Sequence, residues 1–274
     1  MLSCDQKTAV LRKLEEVAKD RKPQAFRVAF DLLVGWSDRG RSGIPSPLDT
    51  EAMRLLGETG ELAEGIDDYD WKIVVSALMP KYPREIAELL ADAITDVESR
   101  RFQRSEYAQE IFKLLAKEHP SEAMQAIGHW ILDDRRGPIF RIWDFKGLFD
   151  SIGLPTVSGW IRTHGDQAAV RVARHLEGPS VGDDGTPRVP ELADWLLTEY
   201  SGVKDVFREF VMGRHSGEVR VGSAIDRKPE VERSLAPFRH HEKAWIREWA
   251  EAEWQEFESE IEWDERHEDE WRRT

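Results

Sequence analysis

Pro155, Trp160, Thr163 and Gly178 recur 35 residues later as Pro190, Trp195, Thr198 and Gly213. At the same offset Leu154, Val157 and Ile161 meet Val189, Leu192 and Leu196. A unit written twice at this period marks a helical repeat array. In such an array each short helical unit buries its apolar face only by stacking on its neighbours. The fold class expected is therefore all-α, an α-solenoid of about six stacked helix pairs. Arrays of this kind present extended binding surfaces more often than catalytic clefts.

Prolines extend the period beyond the two clear units. Pro47, Pro83, Pro120, Pro155, Pro190 and Pro229 fall at intervals of 36, 37, 35, 35 and 39 residues. Each precedes a helix-compatible run, such as REIAELLADAI after Pro83 and SEAMQAIGHWIL after Pro120. Proline at the first helical position costs nothing, because its missing N–H would have had no partner there. Prolines also mark loops in any helical protein, and only the units starting at 155 and 190 match at several positions. In the first, Val157, Trp160 and Ile161 share a helix face, THGDQ makes a turn, and Ala168 to Leu176 form a second helix ending at Gly178. In the second, Leu192, Trp195, Leu196 and Tyr200 form the face, YSG the turn, and Val203 to Met212 the second helix. Gly178 and Gly213 are read as left-handed C-caps.

The rest of the chain is read to the same scheme. Residues 1–46 form an N-terminal helical cap, with helices expected over 6–20 and 24–36. Residues 47–241 hold the repeats, and 242–274 an acidic C-terminal helix and tail. RGRSGIPSP (39–47), Glu177–Arg188 with its GDDG run, and Gly213–Lys228 read as loops. The last of these leaves room for a short extended piece at Val219–Val221. Ile73 to Met79 is the densest apolar run and suits a core helix.

Charge narrows the partners. The chain carries 53 Asp and Glu against 39 Lys and Arg, a formal net charge of −14. Residues 242–274 alone hold 13 acidic against 5 basic side chains, yet Ile246, Trp249, Ala250, Trp254, Phe257 and Ile261 keep a helical apolar stripe. A long acidic helix that caps the array satisfies both facts. The balance argues against non-specific nucleic-acid binding, which requires Lys and Arg to displace phosphate counterions. It argues equally against anionic membranes. The single cysteine, Cys4, fits a reducing compartment, and the start MLSCDQK has no apolar signal region, so a cytoplasmic location is expected. The 11 Trp suit either buried anchors or interface hot spots.

The PxVxxWI and PxLxxWL starts at 155 and 190 resemble HEAT-like α-helical repeats. PFRHHEKAWIREWAEAEW (237–254) resembles the same style, with Arg247 near the start of a helix and Ala250 as the small residue after it. The likeness covers about 47–254 and is strongest over 155–254. It implies a fold and not a function. The stretch from Phe210 to Gly222 is faintly similar to the helical-repeat tails of bacterial antiviral defence ATPases, whose nucleotide-binding parts this chain lacks.

Chemistry-bearing constellations are few. There is no GxxxxGK[ST], GxGxxG, HExxH or GxSxG pattern. His240, His241 and Glu242 are adjacent, with His215 upstream; neighbours at a helix start diverge, so a solvated helix start is the preferred reading over a metal site. The loop residues Arg214, His215, Glu218 and Arg220 around Gly217 suit a phosphate or carboxylate grip, and equally a surface connector with a salt bridge. Arg135, Arg136 and Arg141 follow Arg100, Arg101 and Arg104 by about one repeat, a pattern that fits a positive stripe or inter-repeat ion pairs. A HEAT-like DNA glycosylase would use residue types such as Trp130, Trp143 and Asp144, but no diagnostic motif is present. The function expected is a non-catalytic protein-binding scaffold, a subunit or fragment of a larger bacterial assembly. The alternatives are an acidic inhibitor of the immunity type and a nucleic-acid-acting repeat enzyme. No cofactor, metal or membrane partner is implied; a protein partner is.

Overall fold

The computed structural model describes residues 23–37, 68–95, 105–132, 145–182, 184–214 and 224–271, with scattered positions between 6 and 56. Among them the fold is all-α, with one two-stranded ribbon. The chain divides into two compact units. One holds residues 1–129 with 151–153; the other holds 130–150 with 154–274. No described helix is long and apolar enough to cross a membrane.

In the first unit α1 (Pro23–Ser37), α2 (Asp68–Leu78), α3 (Pro83–Thr95) and α4 (Ser105–Glu118) supply the core. Helix α2 packs on α1, α3 and α4, and α3 on α4. Phe30 and Leu33 of α1, Val74, Val75 and Leu78 of α2, Leu90 of α3 and Phe112 and Leu115 of α4 are fully buried. Burying a side chain of this size contributes about 1.5–3 kcal/mol. The apolar run from Ile73 thus forms the core helix expected of it. Pro83 opens α3 and Pro120 opens α5 (Pro120–Leu132), with Glu85 and Glu122 in the respective first turns, where the helix dipole favours a carboxylate. Helices α5 and α6 (Phe145–Ile152) cross the division between the units.

The second unit contains the two clear sequence repeats. Helix α7 (Leu154–Ala173) bends at Gly165, whose φ of 72° and ψ of −159° interrupt an otherwise continuous helical run. The turn read from THGDQ is therefore a sharp bend between two helical halves. Glycine supplies it because a Cβ at positive φ is strained. The second repeat gives α8 (Glu191–Glu199), a turn through Tyr200, and α9 (Lys204–Arg214). Pro190 is the N-cap of α8, and Pro155 is the second residue of α7. Val157, Ile161, Leu192 and Leu196 are all buried, as their shared register requires. Helix α7 packs on both α8 and α9.

The GDDG stretch is more ordered than a plain loop. Strands β1 (Ser180–Val181) and β2 (Pro187–Arg188) pair antiparallel, Ser180 with Arg188 and Val181 with Pro187. Asp184 Oδ1 accepts from the Thr186 amide (3.1 Å) and hydroxyl (2.6 Å), and Gly185 turns at φ 76°. The Thr186 hydrogen bonds hold the Asp184 carboxyl below the usual carboxylate range.

Three expectations are corrected. Gly178 and Gly213 lack the positive φ of a left-handed C-cap; among the described residues positive φ falls at Gly153, Gly165 and Gly185. Gly213 lies inside α9, where a Cβ would collide with the carbonyl oxygen of Arg174, so it is a close-approach glycine between helices. The loop read over Gly213–Lys228 is helical at both ends, since α10 (Ala224–Arg239) starts five residues before Pro229. Pro229 and Pro237 then stand inside that helix, and neither opens one. Contacts with α11 (Ala244–Trp271) override this local disadvantage. Asp264 of α11 accepts from the Ala224 amide (2.6 Å), a cap supplied from 40 residues away. Pro47 and Val219–Val221 lie outside the described residues.

Candidate functional site

The residues singled out from sequence fall mostly beyond the description. Arg214 is the last residue of α9. His215, Glu218, Arg220, Arg135, Arg136, Arg141, Arg100, Arg101 and Arg104 lie outside the described residues, as do Trp143 and Asp144. Trp130 is only 2% exposed in α5, so its ring is not available to stack on a base.

His240 is exposed, and His241 has structural contacts. His241 Nδ1 accepts the Lys243 amide (3.2 Å), which makes that nitrogen a cap for the turn before α11. Arg247, the residue that resembles the HEAT arginine, donates through Nη1 to the carbonyls of His241 (2.6 Å) and Glu242 (2.9 Å). Lys243 reaches back to Asp194 of α8 (2.6 Å). Among the described residues no group of three His, Cys, Asp or Glu is placed to hold a metal ion.

Two surfaces of the second unit concentrate chemistry, and both involve α11. At 28 residues this helix is about 42 Å long. Its inner face carries Ile246, Trp249, Ala250 and Phe257, all buried. Helix α10 is fastened there by rings and cations. Phe238 meets Trp249 edge-on at 5.4 Å. Arg239 lies 4.7 Å and Lys228 6.0 Å from the Trp254 ring, and Arg227 5.7 Å from Phe257. The outer face carries Glu248, Glu251, Glu258, Glu262 and Glu265, all exposed, at spacings of 3, 7, 4 and 3 that keep them on one side. The whole helix holds twelve acidic residues against two arginines.

The second surface is a cleft of about 330 Å³ between the β-ribbon, α10 and α11. Its apolar lining includes Val181, Leu235, Trp249 and Phe257; its polar lining is Ser180, Ser234, Arg227 and Glu253. Glu253 Oε1 accepts from the Trp249 indole (3.1 Å), and Arg227 Nη2 donates to Glu260 (3.0 Å). Ser234 donates its hydroxyl to the Val231 carbonyl (2.9 Å), which leaves the oxygen's lone pairs. Arg227 Nε–H is buried and meets no acceptor among the described residues. Leaving such a donor without a partner costs about 1–3 kcal/mol. Sequence reading singled out neither Arg227 nor Glu253. The only local signal was the placement of Trp249 and Glu253 one helical turn apart.

The described Trp residues differ in burial. Trp71, Trp130, Trp245 and Trp249 are buried, whereas Trp263 is 55% exposed. The repeated pair, Trp160 and Trp195, is half-buried. Trp160 stacks on His164 with ring centres 4.4 Å apart, and Arg162 lies over Trp195 at 5.2 Å while its guanidinium is 3.9 Å from Glu199.

Set against known proteins, the chain matches no family model, no curated protein and no solved structure.

Proposed function

We propose that this protein is a non-catalytic binding module whose helix pairs stack as a solenoid, and that the outer face of α11 engages a protein partner with a basic surface. The observation that carries this reading is the two-sidedness of α11. Its inner face is committed to packing, so the five exposed glutamates opposite are not needed to bury anything. Concentrating like charge along one helix is unfavourable for the isolated fold, because neighbours at spacings of 3 and 4 repel. A complementary partner relieves that cost and gains fast, charge-steered association. The reading joins the scaffold expectation, which asks for a protein partner, to that of an acidic inhibitor, whose charge asks for a basic one.

The test uses two baits: the full chain and its E248Q/E251Q/E258Q/E262Q/E265Q variant. Each is exposed to lysate of the source organism at low salt. The substitutions remove charge at exposed helix positions, where Gln is as good a helix former as Glu. A stoichiometric protein retained by the wild type and lost by the variant supports the proposal. Equal retention by both baits, or recovery of nucleic acid without protein, overturns it.

A further inference from the structure

The tip of the β-ribbon carries a reactive step that the sequence holds once. The chain contains no asparagine, and of its aspartates only Asp184 is followed by glycine. A glycine nitrogen reaches the preceding side chain more readily than any other, because no Cβ stands in the way. In an Asp–Gly step that nitrogen can attack the side-chain carboxyl carbon. A C–N bond forms, the amide proton leaves with the carboxyl hydroxyl as water, and a succinimide ring results. Water then opens the ring at either carbonyl. One opening returns aspartate. The other gives isoaspartate, in which the backbone runs through the side chain and is one carbon longer. Asp184, Gly185 and Thr186 are all exposed, so water has access to such a ring.

The folded turn opposes both halves of this reaction. The Gly185 nitrogen must swing toward the carboxyl, but its N–H donates to the Gly182 carbonyl (2.8 Å). The Asp184 carboxyl must be neutral for its hydroxyl to leave, but it is held ionised. Its Oδ1 accepts from the Thr186 hydroxyl (2.6 Å) and amide (3.1 Å), and the Arg188 guanidinium lies 3.7 Å away. The Gly182 N–H closes the turn by donating to the Thr186 carbonyl (2.9 Å). The ribbon behind it pairs only Ser180 with Arg188 and Val181 with Pro187. A ribbon this short has little stability of its own, so the turn opens without global unfolding.

We propose that Asp184–Gly185 is a site of spontaneous backbone isomerisation, held back in the closed ribbon by the Thr186 and Gly182 hydrogen bonds and released when the ribbon opens. Isoaspartate there lengthens the turn and parts the Asp184 and Thr186 groups that bond in the closed form. Ser180 and Val181 of the first strand wall the cleft beside α10 and α11, so the isomer alters that wall. The site goes beyond the acidic-face proposal and does not depend on it.

The experiment incubates the full chain for weeks at neutral pH in heavy-oxygen water, folded and in urea, and then digests it with trypsin in ordinary water. Mass spectrometry of the peptide His175–Arg188 reads the solvent oxygen taken up at ring opening, and its fragmentation reads isoaspartate at Asp184. The expected result is label at Asp184 ahead of every other aspartate, and faster in urea than in the folded chain. T186V removes the hydroxyl bond and should speed isomerisation of the folded chain about fivefold, the worth of one hydrogen bond in the opening equilibrium. In urea it should match the wild type, which separates the fold from the local sequence. T186S keeps the hydroxyl and should restore the wild-type rate, and D184E should take up no label at that position. No label at Asp184 in the folded wild type, earlier label at another aspartate, equal rates folded and in urea, or equal rates for folded T186V and wild type overturns the proposal. If T186V fails to fold, the comparison of folded with urea-unfolded wild type carries the test. The five-fold Gln variant, altered only on the outer face of α11, should isomerise at the wild-type rate, so failure here and failure of the acidic-face reading are distinguishable.

Discussion

At the α7–α9 crossing the two backbones come within touching distance: Gly213 of α9 sits over the Arg174 carbonyl, with no room for a Cβ. The flank of the same crossing is closed by Arg174 and Glu209, paired at 2.9 Å. The α10–α11 pair is joined in a different way, through Trp249, Phe238, Trp254 and Phe257 with Arg227, Lys228 and Arg239 laid over the rings. A backbone crossing tolerates no added atom and leaves little freedom to its neighbours. A side-chain seam fixes one face of a long helix and leaves the other out of the packing. The contrast explains how one unit combines a sequence repeat with a helix as acidic as α11.

The largest expected effect breaks the side-chain seam. Trp249→Ala removes a ring that is 2% exposed and should cost about 4 kcal/mol, read as a drop in the urea midpoint. Next comes the crossing itself. Gly213→Ala places a methyl against a carbonyl and should cost about 3 kcal/mol, although alanine is the better helix former. A result near zero would mean that α9 can slide away from α7, and that the crossing is not the rigid member of the comparison.

Acid should separate the two regions further. His175, beside Arg174, has its pKa lowered from 6.5 to about 4, chiefly by burial and then by the Arg174 charge. The folded value lies below the unfolded one, so the unfolded chain binds the proton first. Stability from this group is full above about pH 6.5 and is lost as pH falls toward 4. Allowing for partial exposure, the loss is on the order of 2 kcal/mol. Stability measured at pH 7 and pH 4 should therefore fall less in H175Q than in the wild type by about that amount. The smallest effect has the opposite sign. Gly159 of α7 has nothing within 4 Å of a built Cβ, and Gly159→Ala should stabilise by about 0.5–1 kcal/mol. Together with G213A this makes a control in which the same substitution acts in opposite directions at two helical glycines.

What could be read in the sequence was local. The bend at Gly165 was legible because glycine stands among polar residues between two apolar stripes. The helix starts at Pro83, Pro120 and Pro190 were legible because proline suits a helix N-terminus. Gly213 was misread as a cap because its role depends on a carbonyl 39 residues earlier in the chain. Pro229 was misread because α10 draws its stability from α11, including a cap from Asp264 that no local pattern reveals. The same reason divides the surfaces. The acidic helix was visible as 13 acidic side chains over 242–274 beside a helical apolar stripe. The cleft combines residues from 179–181, 227–235 and 249–257, and only folding brings them together.

The central claim is that the outer face of α11 steers a basic partner. It is tested most directly by the association rate of the captured partner as a function of ionic strength, for the wild type and the five-fold Gln variant. The account predicts a steep fall for the wild type as salt shortens the screening length from about 30 Å at 0.01 M to about 8 Å at 0.15 M, and a shallow slope for the variant. Equal slopes for the two proteins would contradict it.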